Sequence, residues 1–104
     1  MTREEIITNI IPVLEQYPVS KASFFGSYAR GSYTPSSDVD ILVEFNAPKV
    51  GLMFYSLRED LVAILPVNID LVHRPGIKYM EEEFQQNIER EELVFYEKDI
   101  EASI

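Results

Sequence analysis

The chain has 104 residues, no cysteine, and a formal net charge of −9 from nine bases and eighteen acids. A length like this supports one hydrophobic core, and 46% apolar against 26% charged residues excludes the disordered and low-complexity classes. Disulfides and thiolate metal sites are excluded outright, and so few phosphate-neutralising bases disfavour a direct grip on nucleic acid. No apolar run approaches the roughly 20 residues of a bilayer-spanning helix, and the acidic start Arg3-Glu4-Glu5 is unlike a secretion signal. The expectation is a single cytoplasmic domain over residues 1–104.

The first segment, Arg3 to Tyr17, carries Ile6, Ile7, Ile10, Ile11 and Leu14 at helical spacing after Thr2, an N-capping residue with Glu4 and Glu5 in the first turn. Pro12 falls inside that pattern, where it kinks or shortens the helix, and Pro18 closes it. A strand over Val19–Phe25 ends abruptly at Gly26-Ser27, and a polar segment, Tyr28 to Ser37, follows with Gly31 and Pro35 as punctuation. The second strand reads Asp38 to Phe45, with Val39, Ile41, Val43 and Phe45 on one face and Asp38 and Asp40 on the other. Leu57, Leu61, Ile64 and Leu65 predict a helix over Leu52–Leu65, stopped by Pro66 before a third strand, Val67–Val72. Pro75-Gly76 leads into a last helix from about Ile77 to Glu89, with a short strand, Leu93–Tyr96, behind it. The fold class is α+β with α/β-like alternation: a mixed sheet with helices packed on one face.

Half of the acids, nine of eighteen, fall in the last quarter between Glu81 and Glu101, against Arg90 and Lys98 as its bases. A solvated face is the plain reading, and a surface for a basic partner is the alternative.

Asp38 and Asp40 stand two apart on a predicted strand, so their carboxylates share a side at roughly 6–7 Å. Like charges this close raise each other's pKa unless a divalent cation lies between them. Oxygen donors with no His or Cys beside them select Mg²⁺ or Mn²⁺. Taken alone, an Asp-x-Asp pair reads as just the polar face of an edge strand. Asp70 adds a third carboxylate on an apolar strand, either pairing with a base or, if its strand lies beside the second, completing the cluster that two-metal nucleotidyl transfer uses. Gly26 and Ser27 supply a turn through which backbone approaches a phosphate closely, although Gly-Ser by itself is only a turn. Arg30 is one helical turn beyond, set for a phosphate or for an ion pair to Asp38 or a nearby carboxylate. Ser37 reads as a hydrogen bonder of the turn, His73 as a hydrogen bonder at a strand end facing away from Asp70, and Phe84 as core, while Tyr28 and Tyr33 flank the loop where a ring could lean on a nucleobase.

Three blocks together, Gly26-Ser27-Tyr28-Ala29-Arg30-Gly31, Ser37-Asp38-Val39-Asp40-Ile41-Leu42-Val43 and Ile69-Asp70-Leu71-Val72, resemble the signature of the minimal nucleotidyltransferases of the DNA polymerase β superfamily. The resemblance implies the nucleotidyltransferase fold, ATP as substrate with two Mg²⁺ ions, and transfer of AMP onto a hydroxyl. It also implies Asp38, Asp40 and Asp70 as catalytic metal ligands, with Asp70 assisting deprotonation of the acceptor, and Gly26, Ser27 and Arg30 as nucleotide-binding residues. No catalytic position departs from the pattern. The chain lacks the helical acceptor domain of larger relatives and so resembles the antitoxin half of HEPN–MNT toxin–antitoxin pairs, which adenylylates a tyrosine of a HEPN ribonuclease toxin. Two alternatives stay open: a small-molecule, antibiotic-type enzyme acting as a homodimer, and an antitoxin that neutralises its partner by binding alone. The toxin role itself is excluded, because Pro66, Val67 and Asn68 stand where a HEPN active site needs an arginine ahead of His73.

Overall fold

In the computed structural model, which describes residues 1–98, the capping chemistry at the start of the chain is complete. Helix α1 spans Arg3–Leu14; the Thr2 hydroxyl accepts from the Glu5 N–H at 3.1 Å and the Glu5 carboxylate accepts from the Thr2 N–H at 2.9 Å. This reciprocal box satisfies two donors that a helix start leaves orphaned. Pro12 is accommodated because it falls in the last turn, where the hydrogen bond it cannot donate is lost just before the helix ends at Leu14, short of the predicted Tyr17.

Strand β1 (Val19–Phe25) leads directly into a one-turn helix α2 (Ser27–Arg30), then β2 (Val39–Phe45), α3 (Gly51–Ile64) and β3 (Ile69–His73). A 3-10 turn over Arg74–Tyr79, helix α4 (Glu82–Glu91) and β4 (Leu93–Glu97) complete the described chain. The third strand therefore starts two residues later than predicted, leaving Val67 and Asn68 in the connection. The helix predicted over Ile77–Glu89 is two pieces: the chain extends at Met80 and Glu81 and restarts with Glu82 and Glu83 in the first turn. Carboxylates are favoured there by the partial positive charge of a helix N-terminus.

The sheet order is β3-β2-β1-β4, with β1 antiparallel to both β2 and β4, and β2 parallel to β3 through the α3 crossover. The mixed α+β sheet is as expected, but helices cover both of its faces and not one, because Phe25 and Leu42 make the second face apolar enough to bury. On one face Ala22, Phe24, Val39, Ile41 and Val43 meet Ile6, Ile10 and Leu14 of α1 and Leu57 and Leu61 of α3. The opposite face holds a second, smaller cluster of Phe25, Leu42, Ile77 and Ile88, which brings the 3-10 turn and α4 over it. Phe84, expected in the core, is instead at the rim of this cluster, edge-on to Phe25 at 5.9 Å.

Beside this cluster Arg74 joins β2 to the α4–β4 junction, its Nε 2.7 Å from Glu44 Oε2 and its Nη2 on Glu92, with Lys21 4.0 Å from the same Glu92. The acidic last quarter is thus divided. Glu81, Glu82, Glu83 and Glu89 are exposed, whereas Glu91 and Glu92 bind bases from distant parts of the chain; Asp99 and Glu101 lie outside the described residues. Among the described residues, no helix is long and apolar enough to cross a membrane.

Candidate functional site

The site grows from the point where β1 ends. Phe25 pairs with Asp40 across the antiparallel ladder, and the next residue, Gly26, turns the chain out of the sheet with φ 67° and ψ −145°, a conformation open to glycine. Space imposes the same choice: a Cβ at Gly26 would overlap Asp40 Oδ2 and stand 3.4 Å from Cγ. The glycine therefore serves both the turn and the close approach of a carboxylate to the backbone.

Asp40 is in turn in register with Asp70 on the neighbouring parallel strand, so the two carboxylates share a face on strands roughly 4.8 Å apart. Asp38, exposed, directly precedes β2. Burial, then the charges of Asp70 and Asp38, raise the Asp40 pKa to about 6, and Arg30 partly offsets them. Among the described residues, no group of three or more His, Cys, Asp or Glu side chains is placed to hold a metal ion; the three-carboxylate cluster expected of Asp38, Asp40 and Asp70 is found as the Asp40–Asp70 pair, with Asp38 near enough to raise the Asp40 pKa. The donor set fits a hard divalent cation: all oxygen, no imidazole or thiolate, with a central carboxylate whose raised pKa a cation would relieve.

Helix α2 is a single turn and depends on outside support. The Gly26 carbonyl accepts from the Ala29 and Arg30 N–H groups at 3.1 Å, and Gly31, with φ 84°, closes the turn onto the Ser27 carbonyl at 2.9 Å. The first amides, at Ser27 and Tyr28, have no partner within such a helix. Arg3, reaching over from α1, donates from Nε to the Tyr28 carbonyl at 2.7 Å and from Nη2 to the Ala29 carbonyl at 2.9 Å. Its guanidinium is also 5.8 Å from the Tyr33 ring centre, within cation–π range. Tyr28 is wholly buried, stacked on Tyr33 at 4.1 Å, with its hydroxyl donating to the Met1 carbonyl at 2.8 Å. The expectation that Tyr28 leans on a nucleobase is thereby corrected: its ring has no free face, because packing and the Tyr33 stack occupy it from within.

Arg30 forms an ion pair with Glu91 of α4 at 3.1 Å, so the ion-pair alternative is present with Glu91, not Asp38, as its partner. The guanidinium is half exposed and borders a cavity of about 210 Å³ lined by Phe25, Gly26, Phe84, Asn87 and Glu91. Ser37 Oγ accepts from the Thr34 N–H at 2.8 Å, the turn role expected of it. His73 ends β3 on the face away from Asp70, but its ring is seated by Phe45 at 5.5 Å and Phe54 at 6.2 Å, and burial lowers its pKa. Sequence reasoning missed Arg3 and Glu91, since the contacts that matter are 25 and 61 residues away along the chain.

Because folded Asp40 holds its proton up to about pH 6 against an ordinary 3.8, its contribution to the stability of the cation-free protein is fully present below about pH 4 and is lost as the pH rises to about 6. In chelator, Asp40→Asn is expected to melt higher than the parent at pH 7.5, by roughly 4–8 °C per kcal/mol relieved, with the gap closing toward pH 4; thermal melts across that range measure it. Gly26→Ala is expected to lose about 1–3 kcal/mol from backbone strain alone, read from urea midpoints, with the Asp40 collision added.

Comparison with known proteins bears on the same residues. Residues 7–101 match the family described as nucleotidyltransferase domain. A Methanocaldococcus jannaschii protein, provisionally named a protein adenylyltransferase, is 42% identical over 72 residues, 69% of this chain and 77% of its own length. Protein adenylyltransferase MntA of Thermococcus cleftensis is 42% identical over 64 residues, 62% of this chain and 65% of its own. Among solved structures, one described provisionally as a minimal nucleotidyltransferase superposes with a TM-score of 0.70 at 27% identity, covering 89% of this chain and 95% of that one. The fold is shared by a toxin–antitoxin with AMP-PNP (TM-score 0.68, 20% identity, 93% and 77% covered). It is shared too by the complex of a tri-AMPylated Shewanella oneidensis HEPN toxin with its MNT antitoxin (0.64, 18%, 96% and 76%). The glycine turn, the paired aspartates and the mixed sheet that joins them are features of a chain that belongs to the nucleotidyltransferase domain family and is an enzyme of that kind.

Proposed function

We propose that the protein transfers AMP from ATP, in a Mg²⁺-dependent reaction, to a tyrosine hydroxyl of a HEPN ribonuclease toxin and so acts as its antitoxin. The observation that carries this reading is the register of Asp40 with Asp70 beside a turn at Gly26 that has no room for a side chain. Named relatives that adenylylate proteins, and a fold shared with an antitoxin bound to an AMPylated HEPN toxin, support the choice of acceptor.

In this reading the Gly26–Ser27 turn receives the triphosphate with the free amides of α2, and Arg30, released from or shared with Glu91, adds positive charge on the same side. Asp38, Asp40 and Asp70 are the residues that would hold Mg²⁺, which would supply neutralisation of the phosphate charge and activation of the attacking oxygen. The acceptor oxygen bonds to the α-phosphorus as the bond to the bridging oxygen of the β-phosphate breaks; pyrophosphate leaves, and the hydroxyl proton passes toward Asp70.

Incubation of the protein with ATP, Mg²⁺ and the HEPN partner, followed by intact mass measurement, is expected to show one or a few added AMP groups. Asp38→Ala with Asp40→Ala should lower the rate at least ~10²–10³-fold, the usual effect of removing a group that stabilises transition-state charge. Full protection of cells by the double variant, with no mass change on the toxin, would instead support neutralisation by contact.

Arg3 lies outside the family-matched segment yet ties down the turn. Arg3→Met, which keeps the aliphatic stem, is expected to raise the KM for ATP about tenfold with a smaller change in kcat, because two hydrogen bonds from a charged donor that orient the one-turn helix are lost. Steady-state kinetics in saturating acceptor separate this from a simple fall in Tm.

A further inference from the structure

Helix α3 buries Leu57 and Leu61 against the sheet, yet its outer side is not polar: Leu52, Tyr55 and Val62 are 82%, 64% and 45% exposed. With Glu59 between them, these residues follow one another at steps of three, four and three, the a/d spacing of a short coiled-coil seam. Leu57 and Leu61 fall at the f and c positions of the same frame, so the helix has two apolar faces, one packed in its own core and one turned outward. We propose that the outward face binds a second copy of this chain, α3 against α3 in antiparallel sense, about a two-fold axis at Leu57.

The pattern is complementary to itself, as a contact between two identical surfaces requires. Leu52 and Val62 have the same midpoint in sequence as Tyr55 and Glu59, and that midpoint is Leu57. Reversing a second helix about it sets Leu52 of each copy over Val62 of the other, and Tyr55 of each over Glu59 of the other. Leu52 and Val62 are ~15 Å apart along the helix axis, so the two apolar layers close both ends of the contact. Val62 also forms part of the wall of a cavity of about 430 Å³, together with Leu65, Pro66 and Val67 at the end of the same helix. The most exposed apolar side chain of each copy thus arrives beside a hollow in the other.

Charge selects the same occupant. Glu59 is the one ionised residue in the seam, and the Tyr55 hydroxyl of the second copy is placed to donate to it. Arg58, at the flank and 3.8 Å from its own Glu59, is offset by only about 4.5 Å along the axis from Glu59 of the second copy, within the reach of its side chain. A basic partner would meet a single carboxylate here, whereas the exposed acids Glu81, Glu82, Glu83 and Glu89 belong to α4 and the residue before it, over the other face of the sheet. Asp40 is on that other face as well, sharing it with Leu42. Pairing through α3 therefore leaves the aspartates of both copies open. Area sets the strength: a helix of 14 residues is ~21 Å long, too short for the usual ~800 Å² per partner, so the dimer is a weak one with a Kd of roughly 10–100 µM.

Analytical ultracentrifugation of the full chain, from about 5 µM to about 1 mM, is expected to show the mass rising from 12.0 kDa toward twice that value. Two copies at −9 each repel one another, so raising the salt from about 50 to about 500 mM should tighten the dimer. Leu52→Arg, at a position exposed enough to leave the fold alone, should weaken it at least about tenfold while the thermal melt of dilute protein is unchanged. Register is read separately, because the chain has no cysteine of its own: Leu52→Cys mixed with Val62→Cys should form a cross-linked dimer on mild oxidation, and neither variant should do so alone. A parent that stays at 12.0 kDa throughout, a dimer indifferent to Leu52→Arg, a dimer that dissociates as salt is raised, or self-cross-linking of either cysteine variant as readily as the mixture would each overturn the assignment.

Discussion

The structure depends on two carboxylates being held side by side. Strand pairing sets Asp40 opposite Asp70, and burial first, with the Asp70 charge second, raises the Asp40 pKa, so that ionised Asp40 costs free energy in the folded protein. Nothing in packing requires aspartate there; Leu42 and Val72, two residues further along the same strands, show what that face takes when it is used for core. Repulsion of this kind is stored at a site because something positive is meant to relieve it. The Gly26 turn adds the other half of the arrangement by letting backbone amides approach within a side chain's width of the same carboxylate.

Most of the remaining architecture serves to keep that corner rigid. The core against α1 and α3 fixes the β1–β2–β3 register on one face, and the smaller cluster with the 3-10 turn and α4 fixes it on the other. Arg3 and Arg30 then anchor the one-turn helix from two sides, the first through carbonyls at its end and the second through Glu91. A helix of one turn has little stability of its own, so its orientation is a property of α1 and α4 and not of its four residues. Arg74 does the same for α4, bridging Glu44 of β2 and Glu92 beyond the helix.

Elements with a strong period are legible in the residues alone: β1 has the bounds its pattern predicts, the apolar stripes of α1 and α3 face the core except for Ile64, which is exposed, and the alternation around Ile41 puts Asp40 on the face it occupies. The aperiodic stretch after β3 is not legible in this way, because Pro75 and Gly76 mark a change of direction without saying that the helix breaks again at Met80. Acid runs read as solvated for the same reason. Glu91 and Glu92 look like their neighbours in sequence, and only the approach of Arg30 and Arg74 from distant elements distinguishes them.

By itself, then, the sequence determined the secondary elements, the capping at Thr2, the glycine at the turn and the chemical type of the three carboxylates, since each follows from local period, local backbone freedom or side-chain identity. Only the tertiary structure decided that Asp70 stands beside Asp40, that Tyr28 is an internal post and that Arg30 faces Glu91. Those outcomes rest on strand order, register and the packing of residues far apart in the chain, and no window of neighbouring residues contains that information.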